Sequence, residues 1–439
     1  MLAQIILNYF RYFAKLQLAK NSNSILIGVT GSAGKTSTRD AIVTILKSRG
    51  KVKQTEKANS ESGIPLDILG LHPTNYSFLD WLRLVILAPI RAFSFVEKYD
   101  YYVIEMGIDS PKIPKNMSYL LSIVRPNIGV ILNAGLSHAA NFDYLVKDNN
   151  PERRKEKIIN LVAKEKMSLA RGLSNQGVAV INIDQKELSR SIKEVESRII
   201  TYGKSVKANL RIMTMASNLK GSVFGFIYQG IYYKLTLKDI FPDHYAYTFA
   251  AAIASTCALG IPPSQSIKSL SNYQSPAGRL RIFSGLNNSR VIDSTYNASP
   301  STMLESLNLL KKLGANHRKI AVLGDMRELG ISAKLAHKQL ADWISHSSDE
   351  AILFGQNMAE FTLPVLVSKK FPVTHFYNMT ELIAYLKNRL KPSSTVLVKG
   401  SQNEIFLERA VEGILANSSD TTRLCRRGDY WDKIRARSL

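Results

Sequence analysis

The stretch Ile25-Leu26-Ile27-Gly28-Val29-Thr30-Gly31-Ser32-Ala33-Gly34-Lys35-Thr36-Ser37-Thr38 constrains this chain more than any other. An apolar run with the character of a buried strand stops at a glycine-rich turn. A lysine and hydroxyl residues follow, and then a helical pattern, Ala41, Ile42, Ile45 and Leu46. Such a turn cradles a nucleoside triphosphate. Loop N–H groups face the phosphates, the helix N-terminus adds its positive end, a lysine neutralises charge and a hydroxyl ligates Mg²⁺. Thr30, Gly31, Ser32, Ala33, Gly34, Lys35, Thr36 and Ser37 are therefore the expected ATP-binding residues, with Lys35 against phosphate and Thr36 on the metal. Val29 stands where the longer general pattern has glycine, so the run fits a shorter variant, Thr-Gly-x-x-Gly-Lys-Thr.

A chain of 439 residues has room for two or three domains, each with its own core. Two cysteines, Cys257 and Cys425, exclude a disulfide framework or a four-cysteine zinc site and suit a reducing cytoplasm. The formal net charge of +23 favours nucleic acid, an anionic membrane surface or polyanionic substrates as partners. No aromatic-interleaved basic stripe supports nucleic acid, which ranks lowest.

Two stretches have a membrane flavour. Leu2, Ile5, Ile6, Tyr9, Phe10, Phe13 and Leu16 fall at helical spacing beside Arg11, Lys15 and Lys20. Phe78 to Phe95 is apolar but broken by Arg83, Pro89 and Arg91. Neither reaches the roughly 18 uncharged apolar residues of a bilayer span. Each either lies on an anionic membrane or docks on the protein's own core or a partner.

Beyond the phosphate loop, strand-like runs alternate with helical patterns: Tyr101 to Met106, Ile128 to Leu132, and Ala179 to Asn182. This predicts an α/β fold, a P-loop-type domain with a mostly parallel sheet. Asn209 to Met213, Ser222 to Tyr228 and Ile231 to Leu237 read as short antiparallel strands, and Tyr245 to Leu259 as an Ala-rich helix. After a turn-rich hinge at Ser271 to Gly278 the alternation resumes, with strands expected at Arg290 to Asp293, Lys319 to Leu323, Glu350 to Phe354, Val373 to Phe376 and Thr395 to Val398. That is a second, Rossmann-like α/β domain. The expected boundaries are a basic amphipathic helix over 1–23, an ATP-binding domain over 24–274, a C-terminal domain over 275–418 and a basic tail over 419–439. The tail's composition leaves open whether it is disordered or clips onto the body.

Glu105 ends a strand, where ligands of open α/β sheets collect, and a carboxylate there suits Mg²⁺. His138 follows a second strand end. Lys164, on its own, reads as a solvated helix face. In the second domain, Gly278-Arg279, Asp293 to Pro300, and Gly324 to Gly330 are polar loops next to strands, at the ends where a site is built.

Together these strings resemble the Mur ligase family: TGSAGKTS, Asn59-Ser60-Glu61-Ser62-Gly63-Ile64-Pro65, Glu105-Met106-Gly107, Asn133 to His138, Ala163-Lys164, Gly278-Arg279, DSTYNASPSTM, LGDMRELG with His337 downstream, and VLVKGS ending at Ser401. The YNA-S-P and GDM-ELG strings point to the branch that joins D-alanyl-D-alanine to a muramyl peptide. The resemblance implies a cytoplasmic ATP- and Mg²⁺-dependent ligase of peptidoglycan synthesis. ATP phosphorylates the peptide carboxylate, the dipeptide amine attacks the acyl phosphate, and an amide forms. It implies catalytic roles for Lys35, Glu105, His138 and Lys164. Thr36, Glu105 and His138 would ligate metal, and Lys164 would match the lysine carbamylated in relatives. Arg279, Asp293 and Asn297 would lie at the nucleotide, and Asn59, Glu61, Asn133, Lys399 and Ser401 at substrate.

The chain also departs from the family pattern. A basic amphipathic helix stands where relatives carry a UDP-sugar-binding domain, which suggests an acceptor held through a membrane at its inner face or through a cell-wall enzyme. Pro242 to Thr248 lacks two asparagines expected near the nucleotide, Ser294 replaces an acid, and Lys166 replaces a Glu. Two alternatives stay open, a folate polyglutamate ligase and a nucleotide-binding scaffold with lost catalysis.

Overall fold

The computed structural model describes residues 2–436 except 57, 95–96, 137–139, 219–220, 315–316 and 403–404. The chain divides into two compact units, one of 1–216, 223–237 and 245–273, the other of 217–222, 238–244 and 274–439.

The first unit is built on a sheet of β1 (Ile25–Thr30), β2 (Val52–Gln54), β3 (Tyr101–Glu105), β4 (Ile128–Ile131), β5 (Val178–Asn182) and β6 (Arg198–Gly203), in the order β2-β3-β1-β4-β5-β6. Each of these pairings is parallel. β4 and β5 are buried along their whole length, as apolar runs must be in a parallel sheet covered on both faces. β7 (Leu210–Asn218), β8 (Gly221–Tyr228) and β9 (Ile231–Leu237) extend it to nine strands. Lys234, Thr236 and their neighbours in β9 alternate exposed with buried Leu235 and Leu237, the pattern of a strand with one wet face. The sequence reading missed β2 and β6. β2 is three residues long and β6 opens on an exposed arginine, so neither shows an apolar run.

Four helices come from the first hundred residues: α1 (Leu2–Ala19), α2 (Lys35–Leu46), α3 (Gly63–Ile68) and α4 (Phe78–Ser94); α2 packs on β1 to β3 and α1 packs on α3 and α4. One face of α1 packs on the protein's own core. Its Phe10 and Ala14 are fully buried in cores shared with α3 and α4. The Arg11 guanidinium donates to Ser122 Oγ at 2.9 Å and lies 5.3 Å from the Tyr119 ring centroid. α4 continues through Pro89, which has no N–H for the carbonyl of Val85. Tyr9 Oη of α1 donates to that carbonyl at 3.0 Å, so the neighbouring helix supplies the hydrogen bond the proline removes. No helix among the described residues is long and apolar enough to cross a membrane.

The second unit carries a six-stranded sheet of β10 (Arg281–Gly285), β11 (Ser289–Ser294), β12 (Lys319–Gly324), β13 (Glu350–Phe354), β14 (Val373–Phe376) and β15 (Thr395–Lys399), in the order β10-β11-β15-β12-β13-β14. β10 is an antiparallel edge and the remaining pairs are parallel. The expected α/β class, mostly parallel in one part and Rossmann-like in the other, is what the chain adopts. The excursions 217–222 and 238–244 join this unit through specific bonds. Ser217 Oγ donates to the Phe241 carbonyl, Ser222 Oγ accepts from Phe241 N at 2.7 Å, and Lys312 pairs with Asp243 at 3.0 Å.

The basic tail clips onto this unit. Leu424, Cys425 and Arg426 are buried, and Arg423 lies over the Phe283 ring at 5.1 Å. Arg426 forms a two-pronged ion pair with Glu408, at 2.8 and 2.7 Å, and both side chains are almost wholly removed from solvent.

Candidate active site

The register of β1 against its neighbours builds the first half of the site. Val29 pairs with Glu105 and Thr30 with Ile131, so the phosphate turn, the Glu105 carboxylate and the segment after β4 share one end of the sheet. The turn is shaped by tight contact. A Cβ on Gly31 would come within 2.9 Å of Leu132 Cβ, and Gly34 has φ +83°, a conformation that favours glycine. Asn133 locks the loop from the side. Its Oδ1 accepts from Ala33 N at 2.9 Å and its Nδ2 donates to Ala33 O at 3.0 Å. Ser32 Oγ accepts from Gly135 N at 2.9 Å. Asn133 therefore braces the phosphate turn.

Not every hydroxyl of the motif faces the phosphate position. Thr30 is fully buried and donates to Met106 O at 2.8 Å, tying the end of β1 to the end of β3. Ser37 is buried, its Oγ 3.3 Å from Tyr245 Oη, and its carbonyl accepts from Tyr273 Oη at 3.1 Å. Thr36 is half-buried in the first turn of α2. Lys35 is folded back, with Nζ donating to Gly31 O at 2.8 Å.

Glu105 is held from two sides. Its N–H donates to Thr55 Oγ1 at 3.0 Å, and Arg39 Nη1 lies 2.9 Å from its Oε1. The sequence reading did not single out Arg39. It sits one turn beyond Lys35 on α2, a helix that packs against β3. The Asn59 carbonyl accepts from Gly107 N at 2.8 Å, which places the Asn59 segment against the same strand end. Glu61 is half-buried, close enough to Tyr119 to raise its hydroxyl pKa, although burial dominates that shift. His138 lies outside the described residues.

In the helix Pro151–Arg171, Lys164 is exposed, whereas Lys166 is buried with Ile158, Val162 and Ala170. Burial, and then repulsion from Lys35, hold the Lys166 amine well below the ordinary lysine range, against the pull of Asp109 and Glu165. The signal was in the sequence: 158, 162 and 166 continue one line at i, i+4 and i+8, and 164 falls off it.

Within the second unit, the loop after β11 is built as a rigid shelf. Asp293 is fully buried; its Oδ1 accepts from Thr295 N and Oγ1 at 3.1 and 2.6 Å, and its Oδ2 has no hydrogen-bond partner. Desolvation pushes its carboxyl pKa up. Arg279 lies over the Tyr296 ring at 4.3 Å, and Asn297 Oδ1 accepts from Ala298 N at 2.8 Å. Lys399 Nζ donates to Ser294 Oγ at 3.0 Å and to Asn297 O at 2.9 Å. Ser401 Oγ accepts from Arg327 N at 2.9 Å and donates to Ala298 O at 3.3 Å. Lys399 and Ser401 support this loop from beneath. His337 plays the same part for the GDM loop, its Nε2 accepting from Met326 N at 3.1 Å and its Nδ1 donating to Ala333 O at 2.8 Å.

Burial, with a smaller push from Arg279, lowers the Lys399 pKa to about 7. The unfolded chain holds that proton up to about pH 10.4, so stability from this group rises with pH above about 7 and is lowest below it. Between pH 6.5 and 8.5 the gain is about 2 kcal/mol. Urea unfolding of the second unit at both pH values will show a rise in the parent that Lys399→Met lacks.

A glycine-shaped phosphate turn between β1 and α2, with a carboxylate at the adjacent strand end, defines a P-loop nucleotide-binding α/β protein. Residues 29–256 match the Mur ligase middle domain, and residues 278–402 match the family described as Mur ligase, glutamate ligase domain. The UDP-N-acetylmuramoyl-tripeptide–D-alanyl-D-alanine ligase of Buchnera aphidicola subsp. Baizongia pistaciae is 30% identical over 87% of this chain and 74% of its own. The MurF ligase of Thermotoga maritima, solved in complex with ADP, superposes with a TM-score of 0.74 at 21% identity, over 98% of this chain and 84% of that one. MurF from Acinetobacter baumannii gives 0.73 at 22% identity, over 92% and 79%. The chain belongs to the Mur ligase family, in its MurF-type branch, and is an ATP-dependent ligase.

Proposed function

We propose that this enzyme joins D-alanyl-D-alanine to the terminal carboxylate of a muramyl tripeptide precursor. ATP phosphorylates the carboxylate, the dipeptide amine displaces phosphate, and ADP, phosphate and the amide are released. Supporting the substrate choice are relatives of this name along most of the chain. The observation that carries the chemistry is the convergence, at one sheet end, of the phosphate turn, Glu105 and the environment of buried Lys166.

The donors fit ATP and Mg²⁺. The turn leaves no room for a Cβ at Gly31, as a backbone cradle requires, and Thr36 and Glu105 are oxygen donors of the kind a hard cation takes. The metal supplies charge neutralisation on the transferred phosphoryl group. Lys35 turns from the Gly31 carbonyl to the phosphates. Arg39 orients Glu105 through Oε1 and leaves Oε2 for the cation. Arg279 and Asn297 contact the nucleotide, while Asp293 acts from beneath by fixing Thr295.

The carbamate expected at Lys164 belongs to Lys166 in this reading. A neutral amine attacks CO₂, an N–C bond forms and a proton leaves. The anionic product replaces repulsion from Lys35 with attraction. Domain limits near 274 and 418, a cytoplasmic site and a peripheral position at the inner membrane face complete the proposal.

Phosphate release is the test. Release from ATP that requires both a muramyl tripeptide and D-alanyl-D-alanine is expected. Release driven by a folate and glutamate, or none with any acceptor, overturns the reading.

A further inference from the structure

α4 keeps one face off the protein. Ala88, Leu84 and Ala92 are buried against α1 and its neighbours, but Phe78, Leu79, Leu82, Ile86, Ile90 and Phe93 point outward. Phe78 is 80% exposed, Leu79 73%, Ile86 57% and Phe93 67%. The spacing 79, 82, 86, 90 and 93 makes one unbroken apolar stripe along four turns. A folded surface rarely leaves so many large apolar side chains contiguous without an occupant.

A basic cavity lies at the C-terminal end of the same helix. Lys20, Lys51 and Lys98 line a space of about 590 Å³ with the segment Asn21 to Ile25. Lys20 Nζ donates to the last carbonyls of α4, Ala92 at 2.6 Å and Phe93 at 3.2 Å, and Lys98 Nζ donates to Lys20 O at 2.6 Å. The one carboxylate in the lining, Asp100, already accepts from the Lys51 N–H at 2.7 Å. The cavity therefore presents positive charge beside the apolar stripe.

We infer that α4 and this lysine cavity dock the enzyme on an anionic bilayer. The apolar stripe enters the headgroup and acyl boundary and the lysines take lipid phosphates. This rests on the peripheral placement in the proposed function and, of the two membrane-flavoured stretches in the sequence, names α4 as its surface. Charge favours lipid over a second copy. Two chains of net charge +23 meeting face to face would bring Lys20, Lys51 and Lys98 toward their counterparts, whereas an anionic surface neutralises them. The geometry also leaves the site clear. The cavity sits at Ile25, the phosphate turn follows Thr30, and the length of β1 puts roughly 17 Å between them.

Co-sedimentation with vesicles of phosphatidylglycerol and phosphatidylcholine, against pure phosphatidylcholine, tests this at about 0.15 M salt. The full chain is expected to pellet with the anionic vesicles. Ile86→Glu/Ile90→Glu should lower the bound fraction at least about tenfold, and Lys51→Glu/Lys98→Glu should remove the preference for anionic lipid. Unchanged thermal unfolding and phosphate release in both variants will show that the fold and the chemistry survive. A parent that ignores anionic vesicles, or a glutamate variant that binds as well as the parent, overturns the inference. So does a dimer in sedimentation velocity that Ile86→Glu/Ile90→Glu dissociates while vesicles go unbound. Vesicle binding and ligation are separate readouts, so a chain that ligates without binding lipid sinks this inference and the peripheral placement it rests on while sparing the proposed ligation, and a chain that binds lipid without ligating does the converse.

Discussion

Replacing Lys166 by methionine will lower acceptor-dependent phosphate release by about 10²–10³-fold, the scale of losing one preorganised electrostatic group at a phosphoryl-transfer site. Lys164→Met will stay within about two-fold of the parent, as expected of an exposed position. The pair separates two lysines that are two positions apart in the sequence and on different faces of one helix. Unfolding does not explain the loss, because methionine conserves most of the volume and removes a desolvated amine. The folded amine is depressed and the unfolded one is not, so the parent gains stability as pH rises toward the unfolded value of about 10.4. Lys166→Met removes that penalty, and its thermal midpoint at neutral pH should equal or exceed the parent's. A carbon-13 signal from labelled CO₂, present in the parent and in Lys164→Met and absent in Lys166→Met, identifies the modified nitrogen. Full activity in Lys166→Met would remove the lysine from the mechanism.

The contrast between these lysines shows what the sequence could disclose. The parallel strands were legible because their burial on both faces writes an apolar run, as in β4 and β5. β2 and β6 were not, since short or edge-opening strands carry too few apolar residues to stand out. The phosphate turn was legible because glycine at 31 and 34 has no substitute in that geometry. The roles of Asn133, Lys399 and Ser401 were not. Each hydrogen-bonds to backbone atoms brought close by the fold, Ala33 for Asn133, Asn297 for Lys399, and Ala298 and Arg327 for Ser401. Such partners are set by register, and a string of residue types does not encode register directly. Lys166 lay between these cases. Its helical phase with Ile158 and Val162 was visible, but matching it by motif alone favoured its neighbour.

The tail gives the second large effect. Arg426→Met is expected to destabilise the second unit by about 3–5 kcal/mol, because it leaves Glu408 charged, buried and unpaired. Arg426 does more than neutralise Glu408. Its Nη1 donates to Tyr296 O at 3.0 Å and its Nη2 to Thr295 O, so the guanidinium holds up the loop that also carries Asn297. Cys425 closes the space beneath, its Sγ 3.4 Å from Thr295 Oγ1, and a Cβ on Gly278 would lie 2.9 Å from that sulfur. Arg426→Lys keeps the charge but loses the fork that reaches two carbonyls and a carboxylate together, so it should fall between parent and methionine variant. Arg426→Met/Glu408→Met should recover most of the lost stability, since replacing both members of a buried pair removes the unpaired charge. It should not restore the order of the loop, because the Thr295 and Tyr296 carbonyls still lack their donor. Urea unfolding, followed through the second unit's transition, measures the first effect, and amide hydrogen exchange over residues 295–298 measures the second. If the double variant restored both, the ion pair would be a stabilising clasp with no part in shaping the loop; if it restored stability alone, the C-terminal segment positions the loop that carries Asn297.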